Sequence, residues 1–250
     1  MAEVVRLAKA ESRPRMRSDH VKTETGEEIA RSLELLRQKA GTVLTMIAGA
    51  PGVGKTRALE EFCGQMGYDA IYITVASGEG RPACLGSEIL GLFGYRSNGK
   101  SLDLVRRTVA AYVGRGRVLV VDEAQYLDKA GAEWLRAAAE AGEFKIVFCG
   151  DLALAELVSG IPQLQSRMMR PVHIRAVKRA DVAALALDAG VGGDAVVDTL
   201  FAIARLKGAL RNVDNVLSLA TIFAAGDQLG LAHIKAAILD LKLGRTELAE

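Results

Sequence analysis

The chain has 250 residues, half of them apolar, and 32 Lys or Arg against 30 Asp or Glu leave a formal net charge of +2. That length and apolar content suffice for a sizeable core and exclude extensive disorder, and the balanced charge excludes a protein that coats nucleic acid through its overall charge. Any contact with DNA has to be local. Cys63, Cys84 and Cys149 lie far apart, with no CxxC pair and no histidine at a zinc-like spacing, so they are expected to be reduced packing residues. The N-terminus lacks the apolar core of a signal peptide, and no run reaches the ~18 apolar residues of a membrane span. A cytoplasmic location, without membrane attachment, is expected.

Residues 1–22 carry Arg6, Lys9, Arg13, Arg15, Arg17 and Lys22 with little apolar periodicity, and read as a basic arm, either a solvated tail or a DNA-touching segment. Order is expected to begin at "TGEE", with Thr25 as helix N-cap and Glu28 as its capping-box partner. Ile29, Leu33 and Leu36 share one helical face, and Gly41 is expected to end the helix. "TVLTMIAGA" then reads as a buried strand, "KTRALEEFCGQMG" as a helix and "AIYITVAS" as a second strand. Helices follow around Cys84 to Phe93 and Leu102 to Val113. Next come the strand "RVLVVDEAQ", a helix through Trp134 and Leu135, the strand "FKIVFCGD", a short helix at Leu152 to Val158 and a last strand, "VHIRAV". Five short apolar strands separated by helices predict an α/β fold with a parallel sheet covered on both faces. After Val177 strands vanish. Helical periods through Val182, Leu185 and Leu187, then Leu200 to Leu206, Val213 to Phe223, and Ile234, Ile238 and Leu241, predict a small all-helical domain. The expected division is an arm over 1–22, an α/β nucleotide-binding domain over 23–178 and a helical lid over 179–250.

The chemistry concentrates in "GAPGVGKT", Gly49 to Thr56, which fits the P-loop pattern GxxxxGK[ST] between a strand and a helix. Gly49, Gly52 and Gly54, with Ala50, Pro51 and Val53 between them, let the backbone fold tightly and aim its N–H groups at phosphate oxygens. Lys55 supplies a charge to the β- and γ-phosphates, Thr56 a hydroxyl to Mg²⁺, and Arg57 is expected beside the nucleotide. "VLVVDEAQ" ends a strand with Asp122, which would orient Mg²⁺, and Glu123, which would polarise the attacking water. Asp151, just beyond the next strand, has two readings: a polar sensor of the γ-phosphate, or the N-cap of "LALAELV". Arg167 and Arg170 in "QSRMMRP" are candidates for an arginine finger reaching a neighbouring subunit, against the alternative of solvated surface residues. Arg211 opens a helix of the small domain, from which it would reach phosphate from the lid side or stand solvated.

Taken together, "GAPGVGKT", "VVDEAQ", "FCGD", "SRMMR" and "GALR" resemble AAA+ ATPases, and more narrowly the phage Mu B transposition protein family of transposon target-selection ATPases. The likeness runs from about His20 to Leu243, and "KRADVAAL" followed by "KGALRNVDNVLSLA" is its most specific part. The resemblance implies an ATP- and Mg²⁺-dependent ATPase that binds double-stranded DNA without sequence preference. It implies assembly into rings or helical filaments on that DNA, which is delivered to a transposase. It also implies that the lead-in "HVKTETGEEI", with Val21, lies near the adenine, and it implies Asp151 as first sensor, Arg167 as the favoured finger and Arg211 as second sensor. Two departures stand out. The family's N-terminal helix-turn-helix domain is replaced by the basic arm, so that ATP-independent DNA affinity is expected to be weak or to rest on the arm. The sensor position carries a carboxylate, which repels a γ-phosphate unless protonated or metal-bound, so either slow hydrolysis or a different sensor residue is expected.

DNA phosphates are expected to meet Arg81, Arg96, Lys100, Arg106 and Arg107, between the second and third strands, and Lys129, giving salt-sensitive affinity. Two other classes share parts of the pattern. A helicase-loader-like remodeller would act on a protein partner, and a secretion-associated ATPase would share "DEAQ" but is disfavoured by the lack of an apolar span.

Overall fold

The structure is a computed structural model that describes residues 21–243; apart from Val21 and Lys22, the expected basic arm lies outside the described residues. The five expected strands all form: β1 Leu44–Gly49, β2 Ala70–Thr74, β3 Val118–Asp122, β4 Lys145–Gly150 and β5 Val172–Ile174. They make one sheet in the order β2-β3-β4-β1-β5, every neighbouring pair parallel. The last strand is shorter than "VHIRAV", covering only its first three residues.

Parallel strands are joined by crossovers that cover both faces, which is why β1, β3 and β4 are buried at every residue. Alternate residues serve opposite layers. Leu44, Met46, Leu119, Val121, Ile146 and Phe148 pack with α3 (Pro82–Gly91), α4 (Leu102–Val113), α5 (Lys129–Gly142) and α6 (Ala153–Ser159). Ile47, Val118, Val120, Val147 and Cys149 face α1 (Glu24–Gln38) and α2 (Lys55–Met66). A single turn, α7 (Pro162–Gln165), follows α6 and was not legible in the sequence. Of the cysteines, Cys149 is buried and Cys63 half-buried, but Cys84 is exposed and so is not the packing residue expected.

The start of α1 differs from the expectation. Its N-cap is Thr23, whose hydroxyl accepts from Gly26 N at 3.0 Å, and the helix ends at Gln38, three residues before Gly41. Thr25 lies inside the first turn, fully buried, and turns to the opposite end of the chain: its N–H donates to Asp181 Oδ1 at 3.3 Å and its hydroxyl to Asp181 Oδ2. Glu28 makes no capping box and instead stands 3.5 Å from Lys178 Nζ. The buried carboxylate outcompetes a local cap because it satisfies two donors at once at the positive end of the helix.

After β5 come α8 (Arg179–Asp188), α9 (Asp194–Ala204), α10 (Leu210–Ala224) and α11 (Leu231–Asp240), with a separate apolar cluster built on Val182, Leu200, Val213, Val216 and Ile234. Leu187, expected on that face, is 69% exposed; the buried face of α8 runs instead through Val182, Leu185 and Ala186. Asp181, at 0% exposure, stands in the first turn of α8 and is the polar joint between this bundle and α1. Replacing it with alanine would leave two buried donors without an acceptor, at about 1–3 kcal/mol each. Asp181→Ala is therefore expected to lower the thermal midpoint by about 5–10 °C for a protein of this size, and Thr25→Ala by less, because the carboxylate keeps the Thr25 N–H. Equal losses in a melting experiment would show that the joint is not centred on Asp181.

Candidate functional site

At β1 the crossovers leave in opposite directions, since β1 connects towards β2 while β4 connects past it to β5. Ligands of open α/β sheets bind at the carboxyl ends of strands at such a point. A cleft of about 410 Å³ opens there. Its floor is Pro51, Gly52, Gly54, Lys55, Thr56 and Arg57; one wall is Glu123, Gln125, Tyr126 and Asp151; the other is Val21, Thr23 and Gly26, with Leu185, Leu210, Arg211 and Asp214 from the helical bundle.

The loop needs its glycines for stated reasons. Gly52 (φ 83°) and Gly54 (φ 98°) take left-handed conformations, and a Cβ on Gly52 would lie 2.0 Å from the carbonyl oxygen of Gly208. Gly49 has no room for a side chain because Ile174 Cβ and its carbonyl would both stand at 2.9 Å. Val53, 2% exposed, anchors the loop in the core. Lys55 curls over the loop, donating from Nζ to Gly49 O (2.6 Å) and Ala50 O (3.0 Å). Thr56 lies beside the end of β3, its hydroxyl donating to Asp122 Oδ2 at 3.3 Å.

Asp122 is 4% exposed and fully engaged. Oδ1 accepts from Glu123 N at 2.9 Å, and Oδ2 also accepts from the Tyr72 hydroxyl at 2.5 Å. Burial first, then the Asp122 charge, pushes the Tyr72 hydroxyl pKa far up, so it remains a donor. Cys149 is raised for the same two causes and stays an inert thiol. Tyr72 escaped the sequence reading because it occupies an ordinary alternating position of β2. The two oxygen donors, Thr56 and Asp122, suit a hard divalent cation that takes its other ligands from phosphates and water; among the described residues no group of three or more His, Cys, Asp or Glu forms a metal cage of its own.

Glu123 adopts a left-handed conformation (φ 54°), costly for a non-glycine residue, so the end of β3 turns at once into the cleft and the side chain stands exposed there. Gln125 was not singled out in the sequence, yet it bridges two strand ends. Its Nε2 donates to Glu123 Oε2 at 2.5 Å, and its Oε1 accepts from Asp151 N at 3.2 Å. Asp151 is not the N-cap of α6, which is Leu152; it stands one residue earlier, where Oδ1 accepts from Ala153 N at 2.9 Å, and it lines the cleft.

The "GALR" segment explains itself through the P-loop. Gly208 (φ 118°) and Ala209 (φ 52°) fold the backbone against Gly52, and the Asn212 amide closes the turn on Lys207 O at 3.0 Å. Arg211, on the first turn of α10, is thereby brought to the cleft.

The remaining candidates stand outside the cleft. Arg167 is exposed and paired with Glu140 of α5 at 2.5 Å, and Glu140 also holds Arg136 at 2.7 Å. Arg170 is half-buried at φ 45°; it donates to Glu28 O at 3.3 Å, and its own carbonyl accepts from Ser32 at 2.7 Å, so it ties β5 to α1. Arg81 and Lys129 are exposed and flank a backbone bridge between Gly80 and Leu127. Lys100 stands 5.0 Å over the Tyr95 ring, Arg106 and Arg107 both pair with Asp103 at 2.8 Å, and Arg96 is exposed on the same connection.

Residues 38–158 match the family described as AAA domain, and residues 166–241 the family described as Mu B transposition protein, C terminal. The chain is 26% identical over 217 residues to the ATP-dependent target DNA activator B of Escherichia phage Mu, covering 80% of this chain and 67% of that protein, and equally to that of Escherichia phage D108. It thus spans about two thirds of the length of these relatives. Among solved structures, the Aeropyrum pernix ORC2 protein superposes with a TM-score of 0.62 at 20% identity, covering 86% of this chain and 66% of that one. The Aeropyrum pernix ORC1 protein in complex with DNA gives 0.61 at 20% identity (87% and 64%), and a Thermotoga maritima RuvB variant 0.62 at 16% (92% and 74%). These similarities establish the fold. With an AAA domain match followed by a Mu B C-terminal match, and with the "GALR" turn of the second region packed on the P-loop of the first, the chain has a P-loop AAA+ fold and is similar to the Mu B transposition proteins.

Proposed function

We propose that this protein is an ATP-dependent, sequence-nonspecific double-stranded DNA-binding ATPase that assembles on target DNA as a ring or filament and delivers that DNA to a transposase. The observation that carries the reading is the Mu B C-terminal match across the helices that close the nucleotide cleft, in a chain whose curated relatives are named for ATP-dependent activation of target DNA. The proposed division is a nucleotide-binding domain over 23–178 and a lid over 179–250, joined by Asp181 and Thr25.

In this reading ATP lies along the cleft with its base towards Val21 and Thr23 and its phosphates over the P-loop. Lys55 leaves its two carbonyls for the β- and γ-phosphates, and Thr56 and Asp122 hold the accompanying Mg²⁺, which when bound neutralises phosphate charge. Glu123 accepts the proton of a water that attacks the γ-phosphorus as the bond to the β-phosphate oxygen breaks, leaving ADP and phosphate. Arg211 approaches from the lid. Arg167 serves as the finger for a neighbouring subunit once Glu140 releases it, and Arg170, occupied by α1, is the weaker candidate.

DNA contact is assigned to Arg81 and Lys129 at one strand end, and to Arg96, Lys100, Arg106 and Arg107 on the α3–α4 connection. Arg106 and Arg107 share one carboxylate, so the pairs are exposed and exchangeable for phosphate at modest cost. Lys100→Ala combined with Arg106→Ala is expected to weaken duplex binding and to lower the slope of log affinity against log salt by about 2, with nucleotide affinity unchanged. An unaltered slope in a correctly folded double variant removes this connection from the interface.

The reading as a whole is tested by co-sedimentation with random-sequence duplex DNA in ATP, ADP and no nucleotide, at two salt concentrations. Sedimentation that requires ATP and weakens with salt is expected. Absence of DNA-dependent sedimentation under every condition would transfer the cleft's work to a protein partner, as in the loader-like alternative.

A further inference from the structure

Within the cleft, Gln125 is a polar side chain to which the hydrolysis reading gives no task. It sits in the short turn Ala124–Tyr126, two residues after Glu123, half-buried between the ends of β3 and β4. Both ends of its amide are committed, one to the Glu123 carboxylate at 2.5 Å and one to the Asp151 N–H at 3.2 Å. The seat is made by an absence: a Cβ on Gly150 would lie 2.4 Å from Gln125 Oε1 and 3.2 Å from its backbone nitrogen. Gly150 has no left-handed φ, so backbone conformation is not what calls for glycine there.

The backbone of Glu123 is fixed by its left-handed turn and by its N–H on Asp122, but its exposed side chain has three further rotatable bonds. An unrestrained glutamate loses about 1.5–2 kcal/mol of rotamer freedom when it must adopt one geometry. An amide tethered at both ends supplies that geometry in advance. Its chemistry also suits a proton acceptor: a lysine or arginine would pair with the carboxylate and suppress its basicity, whereas a neutral amide holds one oxygen and leaves the other to water.

We infer that Gln125 is a positioning residue, bracing the Glu123 carboxylate against the end of β4, so that the base and Asp151 keep a fixed separation across the γ-phosphate position. The inference rests on the reading of Glu123 as the water-activating base. A positioning error of about 1 Å can cost up to about a hundredfold in rate, which sets the scale of the effect.

The experiment is DNA-stimulated ATP hydrolysis by the full chain, with nucleotide affinity measured separately using a fluorescent ATP analogue. Gln125→Ala is expected to lower kcat by about ten- to a hundredfold with KM and nucleotide affinity within about twofold. Gly150→Ala, which displaces the amide without removing it, should act in the same direction. The double variant should lose no more than Gln125→Ala alone, because both changes remove one brace. A Gln125→Ala protein with unchanged or raised kcat, alongside an inactive Glu123→Gln, overturns the brace and leaves the base assignment standing. Activity retained by Glu123→Gln overturns both.

Discussion

Glu123→Gln is expected to lower ATP turnover by about two to four orders of magnitude while leaving ATP affinity nearly unchanged, which is the range that a positioned proton acceptor contributes. Three features make the effect separable from damage to the fold. The side chain is exposed in the cleft, so the isosteric amide displaces no packing. The unusual backbone of residue 123 is stabilised by its N–H on Asp122, which the substitution keeps. The oxygen donors proposed for the cation, Thr56 and Asp122, are untouched. Under the proposed function, binding without hydrolysis should then hold the protein on DNA, and the ATP-bound complex should outlast a chase with competitor duplex, whereas the unaltered protein should be released as it turns over. Rapid release by the variant would mean that hydrolysis is not what ends the DNA-bound state. The substitution also replaces the acceptor of the Gln125 amide with another amide, so a residual rate lower than that of Glu123→Ala would identify a clash between the two.

How much of this site was legible in the sequence follows from how locally each part is encoded. The P-loop and "VVDE" are contiguous, their geometry set by neighbours in the chain, and the structure brings them together as the spacing implied: Thr56 reaches Asp122 across the β1 and β3 ends. The strands were legible for a similar reason, since parallel strands buried on both faces leave short continuous runs of apolar residues. What was missed is non-local. Thr25 read as a cap because the capping pattern is local, whereas its true partner, Asp181, stands 156 residues away. Tyr72 and Gln125 carry no motif, and their roles come from the register that aligns Thr74 with Asp122 and from the missing side chain at Gly150. The basic residues were legible as charges but not as pairs; Asp103 between Arg106 and Arg107, and Glu140 beside Arg167, were set by helical spacing and by packing that charge counting ignores. Leu187 shows the opposite failure, an apolar residue at a plausible period that the bundle leaves in solvent.

Lys55→Ala is the second large effect and tests a different link, from nucleotide to assembly. The ammonium is held by two backbone carbonyls at the end of β1, Gly49 O and Ala50 O, rather than by a carboxylate, so phosphate has no anion to displace. A hydrogen bond to a charged group contributes about 1.5–3 kcal/mol, so losing the phosphate contact should weaken ATP affinity by at least about tenfold and as much as about a hundredfold. The fold should be spared, because the half-buried Lys55 side chain belongs to none of the apolar clusters that make the core. Lys55→Arg should not rescue, since a planar guanidinium cannot take the place of a compact ammonium between two carbonyls 2.6 and 3.0 Å away. If the γ-phosphate completes the subunit interface, the same substitution abolishes ATP-dependent sedimentation with DNA even at ATP concentrations that restore occupancy of the weakened site, because the lysine's contact with the γ-phosphate is missing from the interface. Recovery of sedimentation at high ATP would instead make Lys55 a pure affinity residue and move the coupling to Arg211 and the lid, whose "GALR" turn already rests on Gly52. Assembly by Lys55→Ala in the absence of any nucleotide would break the link altogether, leaving the cleft to govern release rather than association.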